Sequence, residues 1–389
     1  MIYINFELHA YQPPTQLSKV LAEIYDTSYK PVIKLIENHK NISISLDITK
    51  SLFEKLPEEF AKRIKSLFFK KQIELINTSA YHYLLPLMPE RVTKRQLALN
   101  KESLWTYFGA IPTGLFPPEL AFFPPLASIA KETGHDWLMA DDELFVQRKI
   151  HLPEEKRTPQ SWIPLLHDCG IMLRSRKWSN RVSFGQYKNG ADFADELIEG
   201  QKQWQKKLNN SSDSYIILAI DFETFGHHPP KDSIERFFLP FFAEIIKREK
   251  ECKISPLNFI FNHFPKYQIS EWEMPSGSWS TDDLNNPFPL WNHPDNRFHQ
   301  LWNEFINIVF AVTSEKTDPE LQSLLDKAFY SCTPWQFARN EKGIASWCLP
   351  LFLRIIELLY AKDKNSLLFG ILLARLRDIY AEMKELTKT

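Results

Sequence analysis

Two acidic residues in this chain follow short apolar runs, a position from which a carboxyl group can attack, donate or accept. The stretch IILAIDFETFGHHPP (216–230) breaks off at Asp221, with Glu223, His227 and His228 close behind. Apolar runs of this length, closed by polar residues, fit buried parallel strands. In barrels of alternating strands and helices, the carboxyl ends of the strands carry the chemistry. A second acid, Glu119, comes after Pro117 and Pro118 in GLFPPELAF. Two further strand ends read FELHAYQPP, with Glu7, His9, Tyr11 and Gln12, and IELINTSAYHYLLPL, with Glu74, Asn77, Ser79 and His82. A closed barrel would bring all four clusters to one mouth.

Carboxyl groups paired across a pocket suit cleavage of a glycosidic bond. One serves as nucleophile or base while the other protonates the leaving oxygen; a gap of about 5–5.5 Å implies retention and about 6.5–9.5 Å inversion. The acid must hold its proton near neutral pH, which burial or a neighbouring like charge achieves. His9 and His82 could donate to sugar hydroxyls, or each could be a buried histidine satisfying a carbonyl. Gln12 and Glu223 are further candidate contacts at the mouth. Trp279 and Trp291 could stack on a sugar face or simply anchor their loop. Arg176 and Asn180 could reach a ligand, although a surface ion pair explains the arginine equally well. The pair His227–His228 invites a metal reading, but no HxxxH or HExxH pattern accompanies it, so no metal site is expected.

The elements that must position these residues alternate. Strands are expected at 2–8, 42–46, 73–76, 114–116, 137–140, 171–174 and 215–220, with helical patterns at 17–37, 51–69, 91–108, 126–133 and 191–208. Strand–helix alternation predicts a parallel sheet with right-handed crossovers. Seven strands point to an α/β fold, an incomplete (β/α)7 TIM-like barrel. The expected organisation is a barrel over 1–260, an aromatic-rich loop at the cleft over 261–300, and a C-terminal α-helical bundle over 301–389. Within it, 270–294 is rich in Trp, Pro, Asn and Asp and reads as a long ordered loop. Helical faces are expected from Leu351, Ile355, Leu358 and Leu359, then from Leu368, Ile371, Leu372, Leu376, Ile379 and Met383.

Composition narrows the classes. With 389 residues and a net charge of -1, the chain lacks the basic balance of a nucleic-acid binder. No signal peptide is recognised, and no membrane span is expected, since the most apolar stretch, 351–359, is cut by Arg354 and Glu357. Four scattered cysteines predict a reducing, cytoplasmic setting. Aromatics make up 14% of the chain, enough for a large ring-filled core or a groove for flat ligands.

At these residues the chain resembles glycoside hydrolase family 57. HAYQPP (9–14), QIELINTSAYHYLLPL (72–87), FPPEL (116–120), IDFETFGHH (220–228) and, more loosely, GSWSTDDLNNPFPLW (277–291) are similar to the family's five blocks. RSRKWSNRVSFG (174–185) and SCTPWQFARN (331–340) also resemble family segments. The resemblance implies a seven-stranded incomplete barrel followed by helices, with Glu119 as nucleophile and Asp221 as general acid/base. It implies retaining action on α-linked glucans or galactosides, by hydrolysis or transfer, without a cofactor. The expected partner is an α-glucan or oligosaccharide, with linkage choice set by loops 270–294 and 141–170. Two other readings are a metal-dependent polysaccharide deacetylase and a non-catalytic carbohydrate-binding barrel.

Overall fold

The computed structural model describes residues 1–146, 159–207, 212–313, 318–362 and 367–388. Ten strands are described: β1 (Ile2–Ala10), β2 (Ile44–Ile48), β3 (Ile73–Ile76), β4 (Gly114–Leu115), β5 (Trp137–Asp141), β6 (Ile163–Leu166), β7 (Cys169–Arg174), β8 (Ser214–Asp221), β9 (Cys252–Ile254) and β10 (Lys266–Gln268). Seven of them, β1, β2, β3, β4, β5, β7 and β8, run parallel around a nearly closed barrel. β1 pairs with both β2 and β8, so the first strand closes the ring on the last. Two joints are thin. β3 meets β4 through a bridge from Asn77 to Leu115, and β7 meets β8 at Arg174 and Ile217.

The seven expected strands are these seven, and the incomplete barrel is borne out. Strands β6, β9 and β10 escaped the pattern. β6 carries Pro164 and forms a short antiparallel hairpin with β7, while β9 and β10 are three residues each. Of loop 141–170, residues 147–158 lie outside the described residues, as does the last residue of the 191–208 pattern; its helix spans Gly190–Lys207.

Strand alternation sorts the barrel's contents. Ile4, Phe6, Leu8, Leu46, Ile48, Leu218 and Ile220 point outward into a core shared with the surrounding helices. Inward, one side is apolar: Trp137, Met139, Met172, Tyr215, Ile217 and Ala219 pack together. The other side, along β1 and β2, buries Asn5, Glu7, His9, Ser45 and Asp47 instead. Buried polar groups of this density must be paired or neutral.

Helix Glu90–Phe108 shows how the site is braced. Val92, Leu97, Leu104 and Phe108 bury one face, and Gly109 ends the helix in the left-handed conformation at φ 70°. The same face carries Gln96 and Asn100. Gln96 accepts from the Tyr81 amide at 2.9 Å and donates to the Asp326 carbonyl at 2.9 Å, tying barrel to helical region.

The helical region shares one continuous core with the barrel: Leu138, Ile171, Phe305, Phe352, Ile355 and Ile379 belong to the same cluster. The expected face of the last helix is corrected. Leu373, Leu376, Ile379 and Met383 are buried, whereas Leu368 and Ile371 are 67% and 57% exposed. One stretch, Lys342–Ala361, is long and apolar enough to cross a membrane by length and composition only, and it carries the charges of Lys342, Arg354 and Glu357. In the fold, Phe352, Ile355, Ile356 and Leu359 of this stretch pack inward, while Arg354 and Glu357 pair at 3.1 Å on its exposed side.

Candidate active site

The segment after β4 carries Glu119 in a rare backbone conformation. Pro117 and Pro118 fix the approach, then Glu119 and Leu120 adopt φ 61° and 47°. Left-handed backbone at two consecutive non-glycine residues costs energy and persists only where neighbours hold it, as at functional sites. Two distant segments do so here. Gly277 pairs with Phe122 as a short antiparallel bridge, N–H to O at 2.7 and 3.0 Å, and the Trp279 amide donates to the Glu119 carbonyl at 3.2 Å. A Cβ on Gly277 would sit 2.4 Å from the end of the Leu144 side chain, which would have to move aside to keep the loop this close. From the helical region, the Ser331 hydroxyl donates to Glu119 Oε1 at 2.9 Å.

Glu119 is buried at 8% exposure. Burial first, and then the charge of Asp221, pushes its carboxyl up to about 7, while the Ser331 hydroxyl, His9 and Trp279 pull it back down. Asp221 ends β8, partly exposed, opposite His9 in the strand register. Glu223 lies just beyond it. Burial and then Asp221 push its carboxyl up to about 7 as well, against the hydrogen bonds it receives. Those come from Gln12 Nε2 at 2.7 Å and from the Tyr29 hydroxyl, both onto Oε1.

His9 and His82 meet directly, Nε2 to Nε2 at 2.9 Å. His9 Nδ1 lies 2.9 and 3.0 Å from the two Asp47 oxygens, and His82 Nδ1 lies 2.7 Å from Ser331 Oγ. Phe116 stacks on His9 at 4.7 Å and Tyr11 on His82 at 3.7 Å, which holds both rings in plane. Burial, then the neighbouring His9, keeps His82 well below its ordinary value, so it is neutral. Trp279 stands edge-on to His9 and Phe116, with the Arg174 guanidinium 5.5 Å from its ring.

His9, Gln12, His82, Glu119, Asp221, Glu223 and Trp279 therefore gather at one end of the barrel. Two candidates do not join them as free contacts. Trp291 is fully buried against Leu84, Ala121 and Phe288, so it anchors its loop and offers no stacking face. Arg176 is occupied by protein. Its Nε donates to Asp141 at 2.6 Å, and its terminal nitrogens donate to the Thr281 and Ser278 carbonyls and to Asp282. It braces the aromatic loop against β5, and Asn180 accepts from Arg174 at 2.9 Å. Of the second cluster, only His82 reaches the mouth. Glu74 accepts from the Leu257 and Asn258 amides at the start of helix Leu257–His263. Asn77 donates to the Leu97 carbonyl and Ser79 to Gln96.

Three residues of the site were not foreseen. Asp47 carried a signal, because Ser45 and Asp47 alternate with Ile44, Leu46 and Ile48, but the expected strand stopped one residue short of it. Tyr29 sits in a helix and gave none, and Ser331 opens the segment 331–340, whose resemblance to the family did not single out its hydroxyl. His227 and His228 lie beyond Glu223, both held below their ordinary value by burial. Among the described residues, no group of three or more His, Cys, Asp or Glu side chains is placed to hold a metal ion.

Comparison with known proteins places the chain among its relatives. The chain is 26% identical over 266 residues to alpha-amylase 1 of Dictyoglomus thermophilum, covering 66% of this chain and 36% of that protein. It is 23% identical over 291 residues to a 4-alpha-glucanotransferase of Thermococcus litoralis, covering 70% of this chain and 42% of that one. The chain thus spans well under half the length of these curated relatives. In fold it is similar to a GH57 branching enzyme of Thermococcus kodakaraensis, with a TM-score of 0.72 at 14% identity over 99% of this chain and 95% of that one. The family model of glycosyl hydrolase family 57 matches residues 3–271, and the chain belongs to that family.

Proposed function

We propose that this protein cleaves α-linked glucans with retention, by hydrolysis or by transfer to a second sugar. The observation that carries the reading is the pairing of Glu119 and Asp221 across the barrel mouth, close enough that the charge of one acts on the carboxyl of the other. The relatives named alpha-amylase and 4-alpha-glucanotransferase support the substrate class. In the first step a Glu119 oxygen attacks the anomeric carbon. The glycosidic C–O bond breaks, and Asp221 gives its proton to the leaving oxygen. In the second, water or an incoming sugar hydroxyl loses its proton to Asp221 and displaces Glu119, restoring both groups.

This route needs Glu119 as the ion and Asp221 as the acid. Glu119 is the more buried of the two. A bound sugar reverses that balance. It strips water from Asp221, which favours the neutral acid, and places a carbon that becomes positively charged against Glu119, which favours the ion. Trp279, beside His9 and Arg174, is the ring available to line the sugar. The test is incubation with amylose and malto-oligosaccharides, with products separated by size. Shorter products alone mean hydrolysis, and longer ones as well mean transfer. Glu119→Ala should lose turnover, and a variant with full activity would refute the assignment. Tight binding without cleavage would identify a carbohydrate-binding barrel.

A further inference from the structure

We propose that Asp47, His9, His82 and Ser331 form one hydrogen-bonded chain that fixes Glu119 and passes its proton into the barrel interior, with Ser331 as the link supplied by the helical region. The inference rests on Glu119 being the nucleophile. The four contacts run without a break: Glu119 Oε1 to Ser331 Oγ at 2.9 Å, Ser331 Oγ to His82 Nδ1 at 2.7 Å, His82 Nε2 to His9 Nε2 at 2.9 Å, and His9 Nδ1 to Asp47 at 2.9 Å. His9, His82 and Ser331 are almost completely buried and Asp47 fully so, which leaves no room for solvent to do this work.

Each contact holds one proton, and the chain has two polarities. When Glu119 carries its proton it donates to Ser331 Oγ. Ser331 donates to His82 Nδ1, His82 Nε2–H donates to His9 Nε2, and His9 Nδ1–H donates to the Asp47 carboxylate. When Glu119 is the carboxylate, every donor is reversed. Ser331 donates to Glu119, His82 Nδ1–H to Ser331, His9 Nε2–H to His82, and the Asp47 hydroxyl to His9 Nδ1. Between the two states four protons each cross one contact, and one negative charge passes from Asp47 to Glu119. Nothing enters or leaves the protein. A developing positive charge on the sugar then selects the state in which Glu119 is ionised.

The surroundings suit both ends. Glu119 faces Asp221 from β8, His9 from β1, Tyr11, and Cys332 beside Ser331. Asp47 faces Asp221, Glu223 and, one pair lower on β1, Glu7. The Glu7 carboxyl is fully buried beside Asp47. Burial, and then Asp47, holds it well above the usual carboxylate range, so it remains neutral. Burial, with the charges of Asp221 and Glu223, likewise favours the acid form of Asp47, which the ionised-Glu119 state requires, against the hydrogen bond from Glu7, which favours its carboxylate. The clamp between the two halves is twofold, since the Ser331 amide also donates to the His82 carbonyl at 2.9 Å.

The test is an infrared pH titration of the folded protein, with the Glu119 carboxyl band identified by its loss in Glu119→Gln. Ser331→Ala removes the donor to the carboxylate and should raise the Glu119 midpoint by about one pH unit, with Ser331→Thr restoring it. Asp47→Asn removes the competitor for the shared charge and should lower the midpoint. A disturbance of packing alone would move both variants the same way. Equal midpoints in wild type and Ser331→Ala, or a rise in both variants, would overturn the chain. Should Ser331→Ala not fold, the downward shift in Asp47→Asn decides alone. Turnover of Glu119→Ala on maltoheptaose is measured separately. Full activity there sinks the nucleophile reading whatever the midpoints do, and lost activity with unmoved midpoints sinks only the chain.

Discussion

Replacing Glu119 with Gln should stabilise the protein at alkaline pH and leave it unchanged at acid pH. The Glu119 carboxyl stands at about 7 in the fold against 4.5 for an unperturbed glutamate. Below about pH 4.5 both the folded and unfolded chains hold the proton, and the residue makes no difference. Between 4.5 and 7 the unfolded chain has lost its proton while the folded one keeps it, so stability falls as pH rises, by about 1.4 kcal/mol per unit. Above 7 the deficit is complete, about 2.5 units or roughly 3 kcal/mol. Gln copies the neutral acid in shape and hydrogen bonding and carries no such deficit. Glu223 and Asp142, each also pushed up to about 7 by burial and then a neighbouring aspartate, impose the same slope on both proteins and cancel in the difference. Urea unfolding followed by tryptophan fluorescence at pH 5 and pH 8 measures it. The variant should gain about 3 kcal/mol at pH 8 and about half a unit's worth, under 1 kcal/mol, at pH 5. An equal gain at both values, or none at pH 8, would refute the claim that the fold holds this carboxyl against its preference.

Asp221→Asn should cut kcat/KM on malto-oligosaccharides by about 10²–10⁴-fold and spare kcat/KM for a maltosyl fluoride, whose leaving group needs no proton in the first step; equal losses on both would deny Asp221 the acid role. The same variant removes the charge that raises Glu119, so the acidic limb of kcat/KM for the fluoride should move to lower pH. Gly277→Ala should cost about 1–3 kcal/mol in denaturant unfolding and raise KM, because the added methyl meets Leu144 and lifts the loop that seats Trp279; a KM at the wild-type value would show that the loop does not shape the sugar site.

The barrel was legible because its strands are short apolar runs broken by polar residues, a pattern that survives without knowledge of the partner strands. Glu119 and Asp221 stood out for the same reason: each follows such a run. The remainder depends on tertiary contacts. Arg176 and Trp291 are residue types that sugars attract, yet the same guanidinium and indole serve as a brace on Asp141 and a plug beside Phe288. Nothing in their neighbours along the chain separates the two uses. Ser331 is one hydroxyl in a helical region, and its role arises only where that region folds back onto the segment after β3. Leu368 and Ile371 fit the helical period but fall on the side the core does not cover.

The grip on Glu119 comes from far along the polypeptide. Its main-chain oxygen is held by Trp279 and its carboxyl by Ser331, 212 positions downstream. A chain emerging from the ribosome therefore carries an unaligned acid until its helical part has been made and has docked. A fragment that stops at the barrel would possess the acidic side chain without the hydroxyl that holds it.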